Sequence, residues 1–252
     1  IENRYSIQEL ENFTRDVLLR YSRYIEKIFR FKKERDESVI TLSFPFKTLR
    51  KGQEEMMDFV DESSRNNRII FIEAPTGTGK TISVLYPLVK RFKQGKVNRI
   101  YYLTNKNSIK KVAMNTLNLF DKTGCKLKGI ELTAKENICF NDKKGHCNPV
   151  ECPFAKNYYD KLLDAIFDAL NLHNLFDRET IEALCYERNM CPYQFQLDLS
   201  NYCDVLVCDY SYAFDYRDRT GLEENGMKNS HTLLCVDECH NLPDRVRDMY
   251  SI

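Results

Sequence analysis

Neither charge sign is in surplus: 38 lysines and arginines face 37 aspartates and glutamates among 252 residues. That balance excludes attraction of a polyanion through a global positive field, so any nucleic-acid contact has to come from local basic strips. No apolar run approaches the roughly 18 to 20 residues needed to cross a bilayer. A secretory leader is also missing, so ten cysteines in a chain of this length do not read as a disulfide scaffold. A reducing compartment is expected, cytoplasmic or, in a eukaryote, nuclear, with no membrane partner, and clustered cysteines are weighed as metal ligands. The sequence starts at Ile1 without an initiator methionine and stops shortly after an acidic motif; the expectation is a segment of a longer polypeptide. Its length suits one large domain, or one domain carrying an insertion.

What is present begins with Arg68 to Ser83, RIIFIEAPTGTGKTIS. Ile69, Ile70, Phe71 and Ile72 form an unbroken apolar run, expected as a strand buried on both faces. The run breaks at Pro75 and passes Gly77 and Gly79 to Lys80 and Thr81. It resumes with helical spacing through Val84, Leu85, Leu88, Val89 and Phe92. Strand, glycine loop, Lys-Thr and helix is the order a phosphate-binding P-loop requires. Ala74, Pro75, Thr76, Gly77, Thr78 and Gly79 make the loop, whose backbone N–H groups join the helix N-terminus in facing a polyanion. Lys80 is expected on the outer phosphates and the Thr81 hydroxyl on magnesium.

Upstream, Leu10, Phe13, Val17, Leu18, Tyr21, Tyr24, Ile25 and Ile28 recur at three- and four-residue steps. They are expected as an amphipathic helix pair that ends in the charged stretch Lys32–Glu37. Gln53, about twenty-five residues ahead of the P-loop, is either a surface helix residue or a bidentate partner for an adenine edge. In the second case an aromatic from Phe44 or Phe46 lies against the ring.

Arg99–Thr104 reads as a second strand, followed by a basic cluster on a helix. Thr104, Lys106, Ser108 and Lys111 either hold sugar-phosphate oxygens at the ligand-binding end of an α/β sheet or form an ordinary cap with solvated lysines. From Thr133 to Leu197 cysteines stand at Cys139, Cys147, Cys152 and Cys191, with gaps of seven, four and thirty-eight residues. The paired C-x2-C knuckles usual for structural zinc are missing. Four thiolates hold either zinc or an iron–sulfur cluster, and the uneven gaps match the larger cluster better. Cys185 is the one rival ligand; Cys125, Cys203, Cys208, Cys235 and Cys239 read with it as core. Asp204–Asp209 is a further strand. Leu233–Val236 is the last, and it runs into Asp237-Glu238-Cys239-His240. Asp237 is expected to hold magnesium through its water shell, Glu238 to orient and deprotonate the attacking water, and His240 to couple the site to a partner domain.

Taken in order, FPFKTLRKGQEEMM, EAPTGTGKT, YLTNK, the four cysteines, DVLVCDYSYAFD and DECH resemble the first motor domain of the XPD/DinG-type superfamily 2 DNA helicases, from about Ser43 onward. The resemblance implies a RecA-like P-loop NTPase fold, a parallel α/β sheet with a mainly helical iron–sulfur insertion. It implies a 4Fe–4S cluster on Cys139, Cys147, Cys152 and Cys191, and ATP contacts from Phe46, Arg50 and Gln53 besides the loop. Catalytic roles fall to Lys80, Asp237, Glu238 and His240, and DNA contacts to Thr104, Lys106, Lys111, Lys135 and Tyr210. Two positions depart from the family's pattern: Lys106 stands where threonine is common, and Cys239 where alanine is usual.

The expected division is a helical segment 1–40, motor domain 41–132, cluster insertion 133–198 and motor domain again 199–252. The implied activity is ATP-driven 5′→3′ translocation on single-stranded DNA and unwinding of forked duplex in repair. It would be carried out by a monomeric motor whose arch and second motor domain follow Ile252. Lacking that domain's arginines, these residues are expected to bind ATP weakly and hydrolyse it poorly. An ATP-gated, redox-sensing nucleic-acid module, an RNA track and a helicase–nuclease parent stay open at this point.

Overall fold

The computed structural model describes residues 5–75, 77–142, 145–215 and 231–250. In chain order come α1 (Ile7–Thr41), α2 (Gln53–Arg65), α3 (Lys80–Lys90), β1 (Arg99–Leu103), α4 (Asn107–Lys122), β2 (Gly129–Glu131) and α5 (Lys135–Ile138). Then follow α6 (Tyr158–Leu172), β3 (Leu175–Phe176), α7 (Arg178–Arg188), α8 (Pro192–Ser200), β4 (Val205–Cys208), α9 (Ser211–Phe214), β5 (Thr232–Val236) and α10 (Leu242–Tyr250). No helix among the described residues is long and apolar enough to cross a membrane.

The strands form one parallel sheet in the order β3-β2-β4-β1-β5. This is the expected fold class. Alternation along the strands sends Tyr101, Leu103, Leu206 and Cys208 to one face, where α6, α7 and α8 supply Ile166, Leu170, Ile181 and Phe195. Ile100, Tyr102, Val205 and Val207 go to the other, against Leu85, Val89, Leu117 and Phe120 of α3 and α4. Both faces are thus covered by helices, the condition under which parallel strands read as continuous apolar runs. The cysteine-bearing segment is not packed away from this sheet: β3 pairs with β2, and its helices share the first of the two cores.

Two expectations are corrected. Residues 7–41 form one 35-residue helix, not a pair, because nothing in them breaks a helix: the stretch has neither glycine nor proline. A capping box starts α1, with the Ser6 side chain and the Glu9 side chain each bonding the other's backbone N–H. Arg35 is buried, and its guanidinium donates to Asp204 at 2.6 Å while lying 4.6 Å over the Phe92 ring. Asp204 in turn accepts the Lys128 N–H at 2.7 Å. Removing one partner of a buried pair leaves the other charge uncompensated, so Arg35→Ala is expected to cost about 3 kcal/mol, read as a lower melting temperature with α1 undocked.

The second correction concerns Ile69–Ile72. This segment forms no strand, and β5 is the sheet's edge among the described residues. Ile70 and Ile72 pack on the second core, whereas Ile69 and Phe71 are 90% and 82% exposed. The apolar run is covered on one face only.

Candidate nucleotide site and cysteine cluster

The sheet's register brings the proposed chemistry to one edge. Leu103 lies opposite both Cys208 and Val236, so Thr104, Asp209 and Asp237 emerge together at the carboxyl ends of three adjacent strands. The open edge of an α/β sheet at that end is where ligands bind. The Asp237 N–H donates to the Leu103 carbonyl at 2.9 Å, continuing the ladder one residue beyond β5.

The glycine loop ends at Gly79, with φ at 83°, leading straight into α3. The positive φ is what calls for glycine; a Cβ there would also stand 2.3 Å from Gln53 Nε2 and oblige that side chain to move. Lys80 Nζ donates to the Ala74 carbonyl at 3.0 Å, Thr78 Oγ1 to that of Pro75 at 2.9 Å, and Arg50 to that of Gly77. The loop is therefore braced by its own polar side chains. Thr76 lies outside the described residues.

Gln53 is buried at the start of α2; its Oε1 accepts the Arg50 N–H at 2.8 Å and its Nε2 donates to Ser83 Oγ at 3.3 Å. The amide expected at a purine edge is here engaged beneath the loop. Phe46 is half-exposed and meets Phe44 edge-on at 5.9 Å. Both line a groove of about 420 Å³ with Leu49, Met57, Tyr86 and Lys90.

Tyr102 carries a connection that the sequence did not announce. Its hydroxyl donates to Asp237 Oδ2 at 2.6 Å and lies 3.3 Å from Thr81 Oγ1. Burial, reinforced by the Asp237 charge, pushes the phenol well above its ordinary range. The signal was present only in register: Tyr102 faces Cys235, and Asp237, two residues on, shares that face. Glu238 sits at φ 52°, an uncommon backbone for a side-chain-bearing residue. It gives its N–H to Asp237 Oδ1 at 2.9 Å, and its carboxylate lies 3.5 Å from the exposed His240 ring.

Two expected DNA contacts are corrected. Thr104 is fully buried and accepts the Lys106 N–H at 3.4 Å. Tyr210 is fully buried too; its hydroxyl donates to the Asp237 carbonyl and, at 3.2 Å, to that of Glu238. Burial raises this phenol to about 12, so it is a neutral donor that holds the acidic motif's backbone. Lys106, Ser108 and Lys111 remain exposed around the N-terminus of α4.

All ten cysteines are free thiols. Cys152 is buried, Cys139 and Cys191 are half-buried and Cys147 is exposed. Cys191 caps α8, and the N–H groups of Tyr193 and Gln194 face its sulfur, although burial outweighs them and raises the thiol; Cys139 and Cys152 both act on it electrostatically. Cys147 and, more weakly, Cys139 raise the pKa of the Lys135 ammonium. Electrostatic influence links Cys139 and Cys152 to Cys191, and Cys139 and Cys147 to Lys135; the Phe140 and Phe154 rings meet edge-on at 5.3 Å. Among the described residues no three His, Cys, Asp or Glu side chains close on a single ion position. Of the cysteines expected in the core, Cys125, Cys185, Cys203 and Cys208 are there, Cys235 is half-buried and Cys239 is exposed.

The DEAD_2 family matches residues 101–252 and the DEAD/DEAH box helicase family residues 50–147. The chain is 23% identical over 203 residues to "General transcription and DNA repair factor IIH helicase subunit XPD/RAD3" of Saccharomyces cerevisiae, covering 68% of this chain and 26% of that protein. It is 30% identical over 211 residues to "Probable ATP-dependent helicase MJ0942" of Methanocaldococcus jannaschii, covering 83% and 31%. Among solved structures, "XPD_Helicase" superposes with a TM-score of 0.56 at 23% identity, covering 81% of this chain and 35% of that one. The chain therefore spans about a quarter to a third of the length of these two curated relatives, and it shares the fold of the solved structure.

Proposed function

Because the chain belongs to the DEAD_2 family, we propose that it is the nucleotide-binding first motor domain of an ATP-dependent DNA helicase. The carrying observation is that Thr81 and Asp237, from motifs far apart in sequence, meet across one tyrosine hydroxyl. A hydroxyl and a carboxylate are hard oxygen donors suited to magnesium. Magnesium bound there neutralises charge on the outer phosphates. Lys80, released from the Ala74 carbonyl, turns to the phosphates, and Glu238 orients the attacking water and takes its proton. Lys106, Lys111 and Lys135 are the basic side chains assigned to the strand's phosphates. Phe46 and Arg50 border the nucleotide, and His240 relays its state to a partner domain.

The cysteine set fits a 4Fe–4S cluster on Cys139, Cys147, Cys152 and Cys191. Its donors are all thiols, one of them at the N-cap position of α8 and one acting on Lys135. Bound there, a cluster would join Cys139, Cys147 and Cys152 to the start of α8, and this segment would meet the entering duplex as a rigid wedge.

Unwinding by the longer protein of a duplex carrying a 5′ single-stranded tail, with ATP hydrolysis stimulated by DNA, tests the reading. A 3′-tailed duplex and an RNA track are expected to be poor substrates. Tight DNA binding without stimulated hydrolysis or strand separation would replace the motor with a binding module.

A further inference from the structure

We propose that Tyr102 is a positioning residue for the magnesium–nucleotide complex, setting the directions in which both Asp237 and Thr81 present their lone pairs. The inference rests on the nucleotide reading above and extends it to a side chain outside both motifs.

A phenol has one proton to give. The Asp237 carboxylate can only accept, and at 2.6 Å it takes that proton on Oδ2, a charge-assisted bond of the stronger kind. The Thr81 hydroxyl, 3.3 Å away on the other side, is then left to donate its own proton to the tyrosine oxygen. A hydroxyl that ligates a cation needs its proton directed away and a lone pair directed outward. Tyr102 supplies the place for that proton. On the carboxylate, Oδ1 is fixed by the Glu238 N–H at 2.9 Å and Oδ2 by Tyr102, so neither oxygen is free to rotate. Burial of Tyr102 in the strand layer makes the arrangement rigid, as a side chain that aims reacting groups must be. One phenol thus orders the donor atoms of the P-loop helix and of the acidic motif.

Tyr102→Phe keeps the buried ring and removes only the hydroxyl. Binding of a fluorescent, slowly hydrolysed ATP analogue to the 252-residue chain is followed while magnesium is raised, and again in EDTA. The variant is expected to need about tenfold more magnesium for half-saturation, with unchanged affinity in EDTA and an unchanged far-ultraviolet spectrum. Equal magnesium requirements in the two proteins would overturn the proposal. So would equal losses with and without metal, which mark a merely structural role. If the unaltered chain shows no magnesium-supported binding, the nucleotide reading itself fails and takes this proposal with it.

Discussion

Protein purified anaerobically with Cys191 changed to serine is expected to come off the column colourless, and the unaltered chain is expected to be brown with about four irons and four sulfides. Cys191 is the proposed fourth ligand, with 38 residues between it and Cys152 in the sequence, and it stands at the N-cap position of α8. Serine keeps the cap but offers a hard, poorly acidic oxygen to iron. The same loss is expected for Cys152→Ser, while Cys185→Ser, buried on α7, is expected to keep its iron. Iron and sulfide counts with the visible spectrum decide the matter. A colourless unaltered protein holding one zinc ion would refute the cluster, and iron retained in Cys191→Ser but lost in Cys185→Ser would reassign its fourth ligand.

The second large effect is at Lys80. Its ammonium is the one P-loop cation at the start of α3, and in this structure it rests on the Ala74 carbonyl. Lys80→Ala leaves the loop's backbone in place and deletes the charge that meets the outer phosphates. Loss of one such electrostatic group from a phosphoryl-transfer site costs about 100-fold or more in turnover. DNA-stimulated phosphate release by the longer protein is expected to fall by at least that factor. A variant within about threefold of the unaltered protein would show that the loop is not the catalytic one.

Where the sequence could be read, and where it could not, follows from what each signal reports. Apolar runs ending in polar residues located β1, β4 and β5; the first two are buried on both faces, where few other side chains are admitted, and β5 is the partly exposed edge. Across the cysteine region, Leu162, Leu163, Ile166, Phe167 and Leu170 carry the helical periodicity of α6, and Ile181 and Leu184 that of α7. The same apolarity misled at Ile69–Ile72, because composition records a taste for burial and not whether a neighbour supplies it. The very short β2 and β3 left no periodic trace. Motif spacing found Lys80, Thr81, Asp237 and Glu238, whose types are dictated by phosphate and magnesium. Tyr102 escaped because its role depends on register with β5, a non-local quantity. Thr104 and Tyr210 were misplaced for the complementary reason. Their polar groups suit a nucleic acid, but the fold turned both inward to bond backbone beside the acidic motif.

The account stands most directly on calorimetric titration of the folded 252-residue chain with a non-hydrolysable ATP analogue in magnesium. It predicts one site per chain, weakened severalfold or more by EDTA and by Asp237→Asn. A well-folded chain that takes up no nucleotide, or binds it equally well without magnesium and without the Asp237 carboxylate, would contradict the joining of the P-loop and the acidic motif into one site.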